Sequence, residues 1–179
     1  VWAVTNGSTE SIIKYNKVSV ASDGTPTAGT YSGIGTIESV QIAYPSISVD
    51  TSKNLYAVWT TQLTGAGKGV RFKKAAYSAG AWTWGSEEAV TEAVYANQMG
   101  PCSLDSTGRL QVAFRDSSAN LYLRVFRRAT DGTWSDISPA TQIGENPTIT
   151  VDTATDKAYM FYKDAGLKYR MYDGSTWAA

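Results

Sequence analysis

Three segments of the chain share one pattern: Pro45-Ser-Ile-Ser-Val-Asp50 leading to Leu55-Tyr-Ala-Val-Trp59, Pro101-Cys-Ser-Leu-Asp105 leading to Leu110-Gln-Val-Ala-Phe114, and Pro147-Thr-Ile-Thr-Val-Asp152 leading to Ala158-Tyr-Met-Phe161. Each places an aspartate at the end of a short apolar strand and a bulky aromatic nine residues later. Repetition at roughly fifty residues marks an array, propeller or solenoid, in which one supersecondary unit is copied because it cannot bury its apolar face alone. Period-two alternation and turn signals recur throughout, and helix-type spacing is hard to find. The chain therefore reads as all-β.

Four strands fit each repeat. An inner strand A ends at the aspartate and strand B carries the aromatic. Strand C mixes aromatic and basic residues (Arg71-Phe72-Lys73, Arg124-Val125-Phe126, Tyr169-Arg170-Met171-Tyr172), and strand D starts near Trp82 or Trp84, Trp134 and Trp177. Asp50–Asn54, Asp105–Arg109 and Asp152–Asp156 read as hairpin turns whose short polar side chains bond their own backbone. Gly24, Gly80, Gly132 and Gly174 supply a second family of turns that tolerate positive φ. The repeats span approximately 1–43, 44–99, 100–145 and 146–179 of a single domain, 1–179. The first lacks a visible strand A and opens at strand B (Val1–Thr5) and strand C (Ile12–Val20), so the chain reads as processed or as a piece of a longer one. Four-stranded units of this length suit a β-propeller with about four blades visible, closed on itself or an arc of a six- or seven-bladed ring. A two-sheet sandwich also uses short strands, but does not require the aspartate-to-aromatic spacing to recur. An arc needs further blades or neighbouring subunits to cover its strand edges.

Composition narrows the chemistry. Sixteen basic residues balance sixteen acidic ones, leaving no net field for nucleic acid or an anionic membrane. The dibasic pair Arg127-Arg128 reads as a solvated strand end rather than a phosphate site. No apolar run approaches the ~20 residues of a membrane span. The chain has no histidine, which removes the commonest general base and metal ligand; no metal site and no cofactor are expected. Its single cysteine, Cys102, occupies the slot of Ile47 and Ile149 and reads as a small buried apolar residue. Asn6-Gly7-Ser8 is a glycosylation sequon but reads first as a turn.

The strand A and B patterns, with Ala129-Thr-Asp-Gly-Thr-Trp134 and Tyr172-Asp-Gly-Ser-Thr-Trp177 at the C–D turn, resemble the BNR or Asp-box repeats of sialidase-like β-propellers. Both copies are shortened forms of Ser-x-Asp-x-Gly-x-Thr-Trp. The second repeat keeps only Ser78-Ala-Gly-Ala-Trp82, and the first only Ser22-Asp-Gly-Thr25. The resemblance implies that Asp131 and Asp173 cap turn amides, that Trp134 and Trp177 pack between sheets, and that these turns lie opposite the ligand face. One or two carboxylates per turn fall short of the 6–8 oxygens that calcium takes.

The B–C loops and D–A crossovers then share the other rim. At position 115 stands an arginine where the nine-residue spacing aligns Thr60 and Tyr162; at 116 stands an aspartate where it aligns Thr61 and Lys163. Loops on a rigid scaffold carry binding residues more often than strands do. The expected ligand-binding residues are Arg115, Asp116, Tyr162, Lys163, Tyr95, Asn97 and Asn146, with Tyr44 and Gln98 beside them. A sialidase needs three arginines for its substrate carboxylate, and only Arg115 reaches this rim. Another glycoside hydrolase would need two carboxylates across a pocket, for which Asp116, Glu145 and Asp164 are the candidates. The expected function is recognition of a glycan or protein partner by an extracellular, cell-surface or phage-appendage module. The alternatives are a polysaccharide-active hydrolase or lyase completed outside this chain, and a structural or self-assembling module without ligand.

Overall fold

A computed structural model describes residues 2–6, 10–15, 18–28, 32–38, 44–61, 69–92, 96–117 and 121–178. All regular elements among them are strands, which form four successive antiparallel sheets and one small hairpin. Sheet 1 contains β1 (Trp2–Asn6), β2 (Glu10–Tyr15) and, after a separate hairpin of β3 (Val18–Val20) and β4 (Pro26–Ala28), β5 (Ser32–Glu38). The third strand is thus β5, and the strand expected over Ile12–Val20 ends at Tyr15; Gly24, at φ 86°, turns the β3–β4 hairpin instead.

Sheets 2 to 4 follow the expected A-B-C-D order. Sheet 2 pairs β6 (Ser46–Val49), β7 (Leu55–Thr61) and β8 (Gly69–Ser78), with β9 (Ala81–Trp84) and β10 (Glu88–Thr91) sharing the outer edge of β8. In sheet 3 the inner strand is the divided one. Here β11 (Ala96–Asn97) and β12 (Ser103–Leu104) both pair with β13 (Leu110–Asp116), followed by β14 (Leu123–Arg128) and β15 (Trp134–Asp136). Sheet 4 is β16 (Glu145–Asp152), β17 (Lys157–Lys163), β18 (Leu167–Tyr172) and β19 (Trp177–Ala178). Val49, Leu104 and Val151 lie in three different sheets, each on the strand that precedes and pairs with strand B, and β12 packs beside both β6 and β16.

The aspartates at the A–B turns act as local templates. Asp50 accepts from the Asn54 amide (2.8 Å), the Asn54 side chain (2.8 Å) and the Tyr56 hydroxyl (3.0 Å). Asp105 accepts from the amides of Thr107 (3.0 Å) and Arg109 (2.9 Å) and pairs with the Arg109 guanidinium. In both hairpins the fourth residue, Lys53 or Gly108, is left-handed and returns its amide to the aspartate carbonyl, as three-residue hairpin loops require. Sheet 4 carries one extra residue in this turn: Leu55, Leu110 and Ala158 are equivalent in register, and Asp156 is the left-handed residue. The Asp156 carboxylate reaches the turn of sheet 3, where it accepts from the Ser106 amide and hydroxyl, both at 2.9 Å.

That insertion corrects the alignment by sequence spacing. The register equivalent of Trp59 and Phe114 is Tyr162, not Phe161; all three are buried, at the fifth position of strand B. A second correction concerns sheet 2, whose C–D hairpin is longer. Trp84 pairs with Ala75 as Trp134 pairs with Arg128 and Trp177 with Tyr172, so Trp84 is the equivalent and Trp82 belongs to the hairpin extension.

Successive sheets interlock by one rule. The second, fourth and sixth positions of strand B face the following sheet, and the first, third and fifth face the preceding one. Tyr56, Val58, Val70 and Phe72 of sheet 2 thus pack on Leu110, Val112 and Phe114 of sheet 3. Ala113, Leu123 and Val125 of sheet 3 pack on Met160, Tyr162 and Tyr172 of sheet 4. Two tryptophans tie sheets 3 and 4 to their predecessors: Trp134 meets Phe72 edge-on at 5.5 Å and donates to Glu88 (3.3 Å), and Trp177 donates to the Ile137 carbonyl. The pair Arg127-Arg128 is no solvated strand end. Arg128 forks onto Glu88 of sheet 2 at 2.9 and 2.8 Å and lies 4.8 Å over the Phe72 ring, and Arg127 lies over Tyr172.

Cys102 sits in this core, where its amide donates to Ser46 Oγ (2.8 Å) in the neighbouring sheet. Burial pushes its thiol up to about 11. We expect no reaction of native protein with a thiol reagent at pH 8, and one equivalent on unfolding; rapid labelling of the folded chain would contradict the burial.

Candidate functional site

The end of the sheets opposite the aspartate turns holds a groove of about 310 Å³ between sheets 3 and 4, lined by Arg115, Leu121, Ile143, Gly144, Glu145, Lys163, Asp164 and Ala165. Strand B of each sheet delivers a cation to it. Arg115 and Lys163 share the sixth register position, and Asp116 and Asp164 share the seventh. The corrected register therefore shows a cation–aspartate step repeated in sheets 3 and 4, where sheet 2 has Thr60-Thr61.

Glu145 stands at the centre. It pairs with Lys163 across its own sheet, its carboxylate lies 3.6 Å from Lys163 Nζ, and it lies 4.0 Å from Arg115 Nη1 of sheet 3. Arg115 also donates to Gln98 Oε1 (3.1 Å), which accepts from the Asn146 amide as well (3.2 Å). Gln98 thus fixes the guanidinium against the start of β16. Asp164 takes a charge-assisted bond from Lys168 (2.9 Å), which in turn holds the Lys168 ammonium above its ordinary pKa. A glycine is required at 144 because a Cβ there would stand 2.8 Å from the Tyr162 ring and 3.1 Å from Leu123.

The expected site residues divide. Arg115, Lys163, Glu145 and Asp164 meet in the groove. Asn146 contributes its backbone amide, from a left-handed conformation at the bulge that opens β16. Asn97 pairs with Arg115 along the β11–β13 edge. Asp116 is buried beside Arg124 (3.7 Å) and does not line the groove. Tyr162 is also buried, its ring packed over Gly144, so it supports the groove floor rather than offering an open stacking surface. Tyr95 lies outside the described residues, as do 62–68 and 118–120 of the B–C loops and residues 7–9 of the sequon region.

Leu121 and Ile143 were not foreseen. They are exposed apolar side chains in the groove lining, brought near each other by the Tyr122–Ile143 bridge. Gln98, Leu121, Asn146 and Ala165 are all non-glycine residues at φ 48–57°, a conformation that costs energy and gathers at functional sites. No glycine marks these positions, so the sequence carries no signal for them. No family model and no curated protein matches the chain. The groove's own geometry is therefore the basis for a functional reading.

Proposed function

We propose that the protein is an extracellular or surface recognition module, a β-propeller or an arc of one, that binds a glycan in the groove between sheets 3 and 4. The radial reading is supported by four successive sheets, of which the last three have A-B-C-D order and repeat one packing rule while their first strands β6, β12 and β16 adjoin. The observation that carries the function is the groove lining. Arg115 and Lys163 both approach Glu145, Asp164 stands in the same lining with Lys168 bonded to it, and Leu121 and Ile143 add apolar surface. A concave volume of about 310 Å³ suits a small ligand such as one or two sugar rings. Glu145 and Asp164 are each engaged by cations of the protein, an arrangement that orients donors and acceptors for binding rather than one that sets two carboxylates at work on a bond.

A glycan array tests this reading. We expect binding by the wild type and a loss of about tenfold or more in Arg115→Ala, Lys163→Ala and Glu145→Gln, the scale of one charged hydrogen bond. Absence of any glycan binding, or binding indifferent to all three substitutions, would remove the groove as the site.

A further inference from the structure

We propose that the groove selects uncharged sugars and that Glu145 is the residue that excludes acidic ones. The proposal rests on the recognition reading above and adds to it the class of glycan. The four charged residues of the lining, Arg115, Lys163, Glu145 and Asp164, sum to zero. Arg115 depends on that balance. Its side chain is 13% exposed, and Glu145 is the one carboxylate within 4.0 Å of it among the described residues. A guanidinium so far removed from water needs an anion beside it. Glu145 serves Arg115 through Oε1 and Lys163 through Oε2, which lies 3.6 Å from Nζ. Both ends of this contact are anchored: Gln98 Oε1 holds Arg115 Nη1, and Glu145 opens β16 directly across from Lys163. The second carboxylate, Asp164, is occupied by Lys168 at 2.9 Å.

An acidic substituent drawn to Arg115 or Lys163 therefore meets the Glu145 carboxylate at the same place. A carboxylate, sulfate or phosphate would sit beside a like charge that the fold holds in position, and such a juxtaposition rejects the wrong partner. Neighbouring hydroxyls meet no such conflict. A hydroxyl both donates and accepts, so one can donate to Glu145 while the next accepts from Lys163 or Arg115, and no charge is left uncompensated. Bonds to ionised partners are also the strong ones. Leu121 and Ile143, exposed in the same lining, complement the C–H surface of a sugar ring.

A glycan array carrying neutral oligosaccharides of hexose and N-acetylhexosamine beside sialylated, uronate-containing and sulfated ones tests the class, with affinities taken from calorimetric titration of the glycans that bind. We expect the wild type to bind neutral glycans at least about tenfold more tightly than acidic ones. Glu145→Gln should reverse this preference, because it releases two cations: the neutral ligand weakens about tenfold and acidic glycans gain at least about tenfold. That gain should shrink as salt is raised, whereas neutral binding by the wild type should hold. Lys163→Ala removes a cation instead, and should weaken neutral binding without admitting acidic glycans, so a merely loosened groove cannot imitate the switch. Thermal melting checks that both variants are folded, and the wild-type preference decides the class without any variant. A wild type that prefers acidic glycans overturns the selection and leaves the recognition reading intact. A folded Glu145→Gln protein that still rejects acidic glycans overturns the role of Glu145. Binding of no glycan of either class overturns the reading on which both rest.

Discussion

Replacing Asp105 with alanine should destabilise the protein by about 3 kcal/mol, the upper end of the cost of leaving the turn's donors without their acceptor. Its carboxylate is fully enclosed and serves two turn amides, the Thr107 hydroxyl and the Arg109 guanidinium. Alanine leaves those donors facing an empty site. Asp105→Asn keeps an acceptor for the turn but loses the charge, and should be milder. Burial is the largest single influence on this carboxyl and favours its neutral form, yet the bonds from Thr107 and Arg109 together outweigh it, and it titrates below its ordinary value. In the acid range the unfolded chain then binds the proton first. The stability contributed by Asp105 is complete above the ordinary carboxylate pKa and is lost as pH falls through the lowered folded value. Asp131, Asp152 and Asp173 are shifted the same way, mainly by turn amides and by the hydroxyl of Thr155 at Asp152. Thermal melts between pH 7 and pH 2 should show wild-type stability falling below about pH 4, with a shallower slope in Asp105→Asn. An unchanged slope would mean that Asp105 is not ionised in its turn.

The same aspartates account for how much of the architecture could be read from sequence. An aspartate closing an apolar strand, followed by a turn and a second strand, is local chemistry, and the hairpins, the four-sheet order and the burial of Cys102 all follow from it. Register across the sheets is less local. The extra residue of the sheet 4 turn, Asp156, moves every later position by one, and the spacing to an aromatic survived only because Phe161 and Tyr162 are adjacent. That shift hid the equivalence of Arg115-Asp116 with Lys163-Asp164, the feature that organises the groove. Arg128 was misread for a related reason. Its partner Glu88 lies forty residues earlier on another sheet, and no pattern along one strand reports a contact across two. The groove charges were visible as residues; their apolar flanks, Leu121 and Ile143, depend on backbone turns that no glycine announces.

Trp134→Ala should lower stability by about 3 kcal/mol, the lower end for deleting a large aromatic because this one is half-buried, and should lower the melting temperature by roughly 6–12 °C. The indole fills the space between sheets 2 and 3, edge-on to Phe72 and bonded to Glu88, which also holds Arg128. Its loss opens the sheet-to-sheet contact and withdraws one donor from a carboxylate placed to serve two. Because the contribution is made between sheets, it should couple to Phe72. A double-mutant cycle with Phe72→Leu should give about 0.5–1.5 kcal/mol of interaction, whereas a cycle with Phe161→Leu, on the far face of sheet 4, should give none. The register correction predicts a further contrast. Trp84→Ala should resemble Trp134→Ala, since both stand at the same register position opposite strand C. Trp82→Ala should cost only about 1 kcal/mol, since its indole bonds Lys53 and packs on Tyr77 within sheet 2. Equal losses at Trp82 and Trp84 would contradict the assignment of Trp84 as the register equivalent of Trp134.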